Sequence, residues 1–551
     1  MPIQRLDTFT DRREALALFD LLRGRDPAKP WPLLPILAFI APGGSGKSTL
    51  LDYLRLKKCS LPDRRAALPY AHLDFTLPSA PKDLLSILIA LRDQLQQHAD
   101  GPAGLARHLT FPRFDLGALI AQATSSTEDL SAFGPQEVRR KLTAGKQIFE
   151  SLKDLGSSLG FAVPFVPPLF AGLNLAGRIP AVKDILGYLE ERTGWQWYRQ
   201  QSTVMGLGAE ASMKDVLLRL YVLSRPGKPE REQLISEILP AAFAADLSDA
   251  LVDEAHAPLA WSRDVNVVLF LDGYEALQQA SSETATRLLQ VLSTEPRKQG
   301  RTDPVLLVVG SRDLLAEVPA EEASVPFERT YIQDERFVQH HMRELYLRWQ
   351  HRLPARRRSL WIDDLYLPLW LRDFGPDDTS RYLLQLGEQE QTQVFAQHVE
   401  LVQTIDRVTH GHPLFLALAA EAVLEAEARG RMLTSTDFEQ EKVPPGIARE
   451  HEAERIGEYL LTLFLRQVSD AERKELVLCA MPRLLDAAVL HVLVPSLDEL
   501  DVQPRWQTIR RLSFLSAIDA QRSVVHPLVR RLLLRQLPTS RDPDSVYMGF
   551  P

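Results

Sequence analysis

Lys47, Ser48 and Thr49 follow three glycines, Gly43, Gly44 and Gly46, in the run APGGSGKSTL, and these residue types together suit a phosphate chain. Glycines let the backbone curl so that successive N–H groups point inward, and the positive end of a following helix adds to the field. Gly43, Gly44, Ser45, Gly46, Lys47, Ser48 and Thr49 are the candidate phosphate-binding set. Lys47 is placed to reach the β- and γ-phosphates, and the Ser48 hydroxyl to ligate Mg²⁺. The run departs from G-x-x-x-x-G-K-[ST] at its first position, which is Ala41. Ala there carries a cost only if the position needs a positive φ. The chemistry expected of this stretch is binding of a nucleoside triphosphate with Mg²⁺.

Three further runs carry groups that fit the same chemistry. In VNVVLFLDGYEAL, Asp272 ends an apolar run and so falls at the C-terminal edge of a buried strand, where α/β sheets place ligand chemistry. Its carboxylate suits the Mg²⁺ shell opposite Ser48. Glu275 lies past Gly273 and Tyr274, placed to orient or deprotonate an attacking water, with an ordinary surface carboxylate as the alternative reading. In VLLVVGSRDLL, Arg312 follows the next core strand and should emerge on the same edge, where a guanidinium can contact a γ-phosphate; a solvated arginine is the alternative. In SVVHPLVRRLLLRQL, His526 stands between a short strand and a helix, and the residues alone favour a capping or packed histidine. THGHPLFLALAA, with Gly411 and Pro413 in a tight turn before an apolar helix, is an ordinary helix start to which residue types assign no function. His410 and His412 are two residues apart, which is not metal-ligand spacing on a helix.

The elements that must position these groups follow from hydrophobic periodicity. Ile36–Ile40 has strand length and β-branched content, and Leu50, Leu51 and Leu54 have helical spacing after Lys47. Further strands are expected at Tyr70–Phe75, Val265–Leu271 and Val305–Val309, and helices at 11–22 and 81–98. Continuous apolar strands with helices between them describe a doubly wound parallel-sheet α/β domain. From Glu335 to about Arg455 nearly every segment has helical pattern, and Glu458–Leu537 reads as three short helices followed by two short strands around a turn, a winged helix. The expected division is a lead-in at 1–30, a nucleotide domain at 31–330 with a mainly helical insertion at 101–260, a helical lid at 331–455, a winged helix at 456–540 and a tail at 541–551.

Composition bounds the alternatives. The 551 residues are 45% hydrophobic and 25% charged, ordinary globular values, with a net charge of −8 that provides no global basic field for nucleic acid. The two cysteines, Cys59 and Cys479, match no metal or redox spacing, and the N-terminus lacks the apolar core of a signal peptide; a cytoplasmic location is expected. Leu155–Gly177 carries no charge over 23 residues, but its prolines and glycines would break a spanning helix, so membrane contact there is not the favoured reading.

Taken in order, the motifs resemble those of the STAND class of signal-transduction ATPases, which includes the NB-ARC and bacterial regulatory branches. FTDRREAL with Arg12 looks like that family's lead-in motif, APGGSGKSTL like its Walker A, LFLDGYEAL like its Walker B, VVGSRD like its arginine sensor, GHPLFL like its Gly-x-Pro motif and VVHPLVR like its winged-helix histidine motif. The resemblance implies a nucleotide sandwiched between the α/β domain and the two that follow, with Pro413 near the adenine and His526 touching the ADP phosphate in a closed state. It further implies slow ATP hydrolysis by Asp272, Glu275 and Arg312, and a homo-oligomer when ATP is bound. Ala41, Ala276 and Pro527 stand where the family commonly has glycine, a second acidic residue and aspartate. The rival readings are an ATP-controlled DNA-binding regulator, for which residues 505–541 supply eight arginines, and an AAA+ motor, against which Gly273 in the second Walker B place argues. A sensor or effector would come from the 101–260 insertion, a partner protein or a longer parent chain.

Overall fold

The computed structural model describes residues 12–23, 34–59, 68–98, 111–125, 193–201, parts of 205–227, 229–252, 267–298, 305–312, 335–352, 365–439, 449–517 and 521–537. Its centre is a five-stranded parallel sheet of β1 (Ile36–Ile40), β2 (Tyr70–Asp74), β3 (Val267–Asp272), β4 (Val305–Ser311) and β5 (Tyr366–Trp370), in the order β2-β3-β4-β1-β5. Thus β4 separates the strand that feeds the glycine loop from the strand that ends in Asp272. Register places Ile40 beside Ser311 and Asp74 beside Asp272, so the loop, both carboxylates and Arg312 leave the sheet at one edge. This parallel-sheet α/β core with many helices is consistent with a P-loop NTPase fold.

The strands read as unbroken apolar runs because each face meets its own core. Val267, Leu269 and Leu271 join one hydrophobic cluster, while Val268 and Phe270 join another on the opposite face. Fully burying a side chain such as Phe270 contributes about 1.5–3 kcal/mol. Helices 13–23, 47–53 and 335–352 cover the Phe270 face through Leu18, Phe19, Leu50 and Met342. Helices 84–98, 112–125, 239–252 and 282–298 cover the other. Described parts of the 101–260 region therefore belong to the sheet's own core. Within them, buried Arg92 pairs with buried Asp115 at 2.7 Å, and Asp246 accepts the Phe114 N–H at 2.8 Å. Burial pushes the Asp115 carboxyl up to about 6 even against the pull of Arg92. Thr127–Leu155 and the charge-free 155–177 stretch lie outside the described residues.

Several expectations are corrected. The stretch from Glu335 onward, read as helical, contains β5, and its YLPLW run fits an edge strand. Pro368 removes a ladder donor there and blocks pairing by another strand. The other edge is blunted differently. Gln94 accepts from the His72 N–H at 2.7 Å and donates to the His72 carbonyl at 2.9 Å, so a side-chain amide takes the place of a sixth strand. Within the stretch from Glu335 onward the chain also breaks at His398, between the helices Val394–Gln397 and Val399–Thr409. The lead-in helix, expected at 11–22, runs Arg13–Arg23, and residue 11 lies outside the described residues.

Beyond the sheet, one continuous apolar core runs from Leu383 to Leu533 and joins the helices 399–409, 413–428 and 449–465 to the last unit. That unit is ordered as helix 470–479, an isolated bridge from Leu485 to Ser523, helices 487–493 and 499–509, and the hairpin β6 (Leu515–Ala517) and β7 (Ser523–Val525). Among the described residues no helix is long and apolar enough to cross a membrane. Cys59 and Cys479 are buried free thiols, both pushed up to about 12 by burial, which leaves them poor nucleophiles.

Candidate functional site

The glycine loop has the geometry its residues promise. Gly44 and Gly46 have φ of 85° and 81°, and the helix opens at Lys47 and continues through a π-turn to Lys58. Ala41 is not among the described non-glycine residues with positive φ. It lies fully buried at the end of β1, so alanine in place of the first glycine strains nothing. Lys47 Nζ donates to the carbonyls of Ala41 at 2.5 Å and Pro42 at 2.9 Å, which fixes its ammonium against the loop's own backbone. Ser48 and Thr49 are exposed on the open side.

Across from the loop, Asp272 is buried and its Oδ1 accepts the Gly273 N–H at 2.8 Å. Its carboxyl is pushed up to about 7, first by burial and then by Asp74, while a hydrogen bond from Ser48 opposes the shift. Ser48 and Asp272 thus face each other as hydroxyl and carboxylate, a hard oxygen pair that fits Mg²⁺, whose charge would relieve the crowding of two carboxylates. Asp74 is a residue the sequence reading missed. It ends β2 beside Asp272, and the signal was present in YAHLD, a strand closing in an aspartate at the same sheet edge. Gly310 keeps this corner open, because a β-carbon there would lie 2.8 Å from Asp272 Oδ1.

Glu275, in the first turn of helix 274–280, is buried and meets Arg312 at two points. Arg312 Nε lies 3.1 Å from Oε1, and the Arg312 backbone N–H donates to Oε2 at 3.2 Å. The guanidinium lies against the loop, 3.5 Å from where a β-carbon on Gly43 would be. Asp272, Glu275 and Arg312 are therefore brought together with Gly43–Ser48.

The second unit, built on the apolar core from Leu383 to Leu533, reaches the same place. Leu414 N–H donates to the Gly44 carbonyl at 3.3 Å, and the His412 ring covers Gly44, 2.7 Å from where its β-carbon would sit. Pro413 lies 4.0 Å from the corresponding point on Gly46. Burial lowers the His412 pKa, and Arg12 and Lys47 lower it further, while Asp373 and a hydrogen bond with the Gly43 backbone oppose them. His412, to which residue types assigned no role, is thus a contact of the loop; nothing in GHPLFL alone distinguishes it from a turn residue. Arg12, at φ 85°, donates to the Ser45 carbonyl at 2.7 Å and to the Arg372 carbonyl, with its guanidinium 5.3 Å from the Phe374 ring centre.

His526 caps the last helix, its Nδ1 accepting the Leu528 N–H at 3.3 Å, as the residues alone suggested. It also lies in the field of the site: burial, then Arg312, His412 and Lys47, hold its pKa down to about 4. The sign follows. A free imidazole takes up a proton near 6.5, so between about 6.5 and 4 the opened or unfolded chain binds more protons than the closed one. The closed arrangement is therefore favoured above about pH 6.5 and weakens as pH falls toward 4. Hydrogen exchange of residues 43–46 and 412–416 should accelerate between pH 7.5 and 5 beyond the intrinsic pH effect, and His526→Gln should reduce that excess.

No family model matches this chain, and no curated protein does. Among solved structures, the Walker-type ATPase of Pyrococcus abyssi is similar at 10% identity and a TM-score of 0.20, over 58% of this chain and 87% of that one. Likeness at that level lends weight to no particular function.

Proposed function

We propose that this chain is an ATP-dependent molecular switch of the STAND type, closed with ADP and open with ATP, that resets by slow hydrolysis. The observation that carries the reading is the contact of the second unit with the phosphate loop itself, through Leu414, His412 and Pro413 on Gly44 and Gly46. A nucleotide held on Gly43–Thr49 would lie at the junction of two hydrophobic cores, so the two units would sense its phosphates directly. Pro413 near the base and His526 toward the phosphates complete that site.

In hydrolysis Lys47 would bear on the β- and γ-phosphates and the loop N–H groups would hold them in line. Ser48 and Asp272 would hold Mg²⁺, which would supply charge neutralisation for the phosphates. Glu275 would orient and deprotonate the attacking water, and Arg312 would contact the γ-phosphate, the group that distinguishes ATP from ADP. The helix, bridge, two helices and hairpin from 470 to 525 match the element order of a winged helix, and the proposed division of the chain is that of the sequence reading.

The test is the size distribution of the purified chain. With a non-hydrolysable ATP analogue and Mg²⁺ it should shift to larger species relative to ADP, by light scattering at matched protein concentration. Identical distributions would overturn the switch. The DNA-reading alternative draws less support. Arg505 pairs with Glu475 at 2.7 Å and Glu472 at 3.2 Å, Arg535 pairs with Glu454 at 2.7 Å, and Arg530 donates to the Met481 carbonyl at 2.8 Å. The exposed residues of helix 499–509, the position of a groove-reading helix, are Glu499, Leu500, Asp501, Gln503, Pro504, Gln507 and Thr508, none of them basic.

A further inference from the structure

We propose that Glu275 stands in for the γ-phosphate: its carboxylate occupies Arg312, which acts as a clasp on the base until a triphosphate competes for the guanidinium. This rests on the switch reading and adds to it a source of nucleotide selectivity.

The geometry is two-pronged. Oε1 faces Arg312 Nε at 3.1 Å and Oε2 accepts the Arg312 N–H at 3.2 Å, so one residue engages both oxygens of the carboxylate. A carboxylate engaged on both oxygens by one residue is not available to orient a water. The two partners differ in freedom. Glu275 is buried, with its side chain 11% exposed, whereas the Arg312 side chain is 49% exposed and anchored by the end of β4. The arginine is therefore the part that can move. Its path is short, because its guanidinium already lies against Gly43, at the place where any side chain on residue 43 would sit.

A γ-phosphate beside Lys47 brings about two negative charges against the single one of Glu275, and three oxygens instead of two. It would draw the guanidinium off Oε1 and leave that oxygen free for water, while Oε2 stays on the backbone N–H of Arg312. ADP offers no such competitor, so the clasp stays shut. Arg312 also contributes to the field that keeps His526 neutral, so its displacement would be felt by the second unit. Base release and the loosening of the junction would then be two results of one movement. Arg312 in this role is a positioning residue for Glu275 in addition to its contact with phosphate.

The consequence is thermodynamic: ATP must break the Glu275–Arg312 pair, and ADP need not. A double-mutant cycle on the full-length chain tests it, with Kd measured for ADP and for a non-hydrolysable ATP analogue, both with Mg²⁺. Glu275→Gln keeps the shape and removes the charge. It should tighten the analogue about two- to fivefold, the range of a half-exposed ion pair, and leave ADP unchanged within error. In an Arg312→Ala background, Glu275→Gln should no longer affect the analogue. Equal tightening in both backgrounds would mean plain charge repulsion from the phosphate and would overturn the clasp. So would an analogue Kd that Glu275→Gln does not improve while the wild-type chain binds both nucleotides. A folded wild-type chain that binds neither nucleotide overturns the switch reading, and the clasp with it.

Discussion

Replacing Lys47 by Ala should abolish measurable nucleotide binding while leaving the fold intact. The lysine is buried at the base of the loop, and its Nζ is steered by two carbonyls of the same loop, Ala41 at 2.5 Å and Pro42 at 2.9 Å. These bonds hold a positive charge against the backbone of the glycine loop. Truncation removes the cation and leaves the β-phosphate with neutral donors alone. Loss of one partner from a desolvated, hydrogen-bonded charge pair costs about 2–5 kcal/mol, a weakening of roughly 30- to several-thousandfold. Lys47→Met separates charge from packing, since it keeps the apolar stem; it should fail to bind as the Ala variant does. Lys47→Arg should not restore binding either, because a planar guanidinium cannot fit beneath the loop as a compact ammonium does. Isothermal titration with ADP and with an ATP analogue reads the effect, and thermal melts of the apo variants report the fold. An Ala variant that binds either nucleotide within tenfold of wild type would remove this loop from the function.

The expectations that held share one property, which is that the signal lies in a few adjacent residues. β1 runs over Ile36–Ile40 as read, because a buried strand entering a glycine loop has an unambiguous start and stop. β3 and β4 were recognisable from their apolar runs, with ends shifted by one or two residues. The hairpin before His526 was legible from two short β-rich pieces around a turn. What was missed depends on pairing over long distances. β5 is only five residues with a central proline, and its role as the partner of β1 is decided by register some 330 positions away. The breadth of the C-terminal core, from Leu383 to Leu533, likewise has no local marker. Asp74 was legible only by asking which strands share an edge with Asp272. His412 shows the limit most clearly. Its chemistry comes from lying on Gly44, and no spacing rule connects residue 412 to residue 44.

Gly411→Ala should disconnect the two halves of the site. His410 and Gly411 are successive left-handed residues, at φ 52° and 71°, and together they turn the chain so that Pro413 can open the next helix. The space is as restrictive as the backbone. A β-carbon on Gly411 would run into the Phe374 carbonyl, a backbone group that cannot swing aside, while the Phe374 N–H donates to the Gly411 carbonyl at 2.9 Å. Phe374 in turn carries the Arg12 guanidinium, and Arg12 holds the Ser45 carbonyl of the glycine loop at 2.7 Å. A methyl group at 411 therefore has two ways to be accommodated, and both are costly. If the turn yields, His412 and Leu414 leave Gly44; if the 372–374 segment yields, Arg12 loses its seat. Left-handed strain together with a backbone collision costs about 3 kcal/mol, comparable to the sum of the polar contacts that close the junction. The substitution lies outside the three hydrophobic cores, so the two units should remain folded, with unchanged far-ultraviolet circular dichroism. Hydrogen exchange should rise together at 43–46, 372–374 and 412–416, and ADP should bind more weakly while the ATP analogue is affected less. That asymmetry follows only if ADP is the nucleotide held by the closed junction. Equal losses for both nucleotides would show that the 411 turn supports the loop without distinguishing the states. Unchanged exchange at 43–46 would show that the second unit does not bear on the loop in solution.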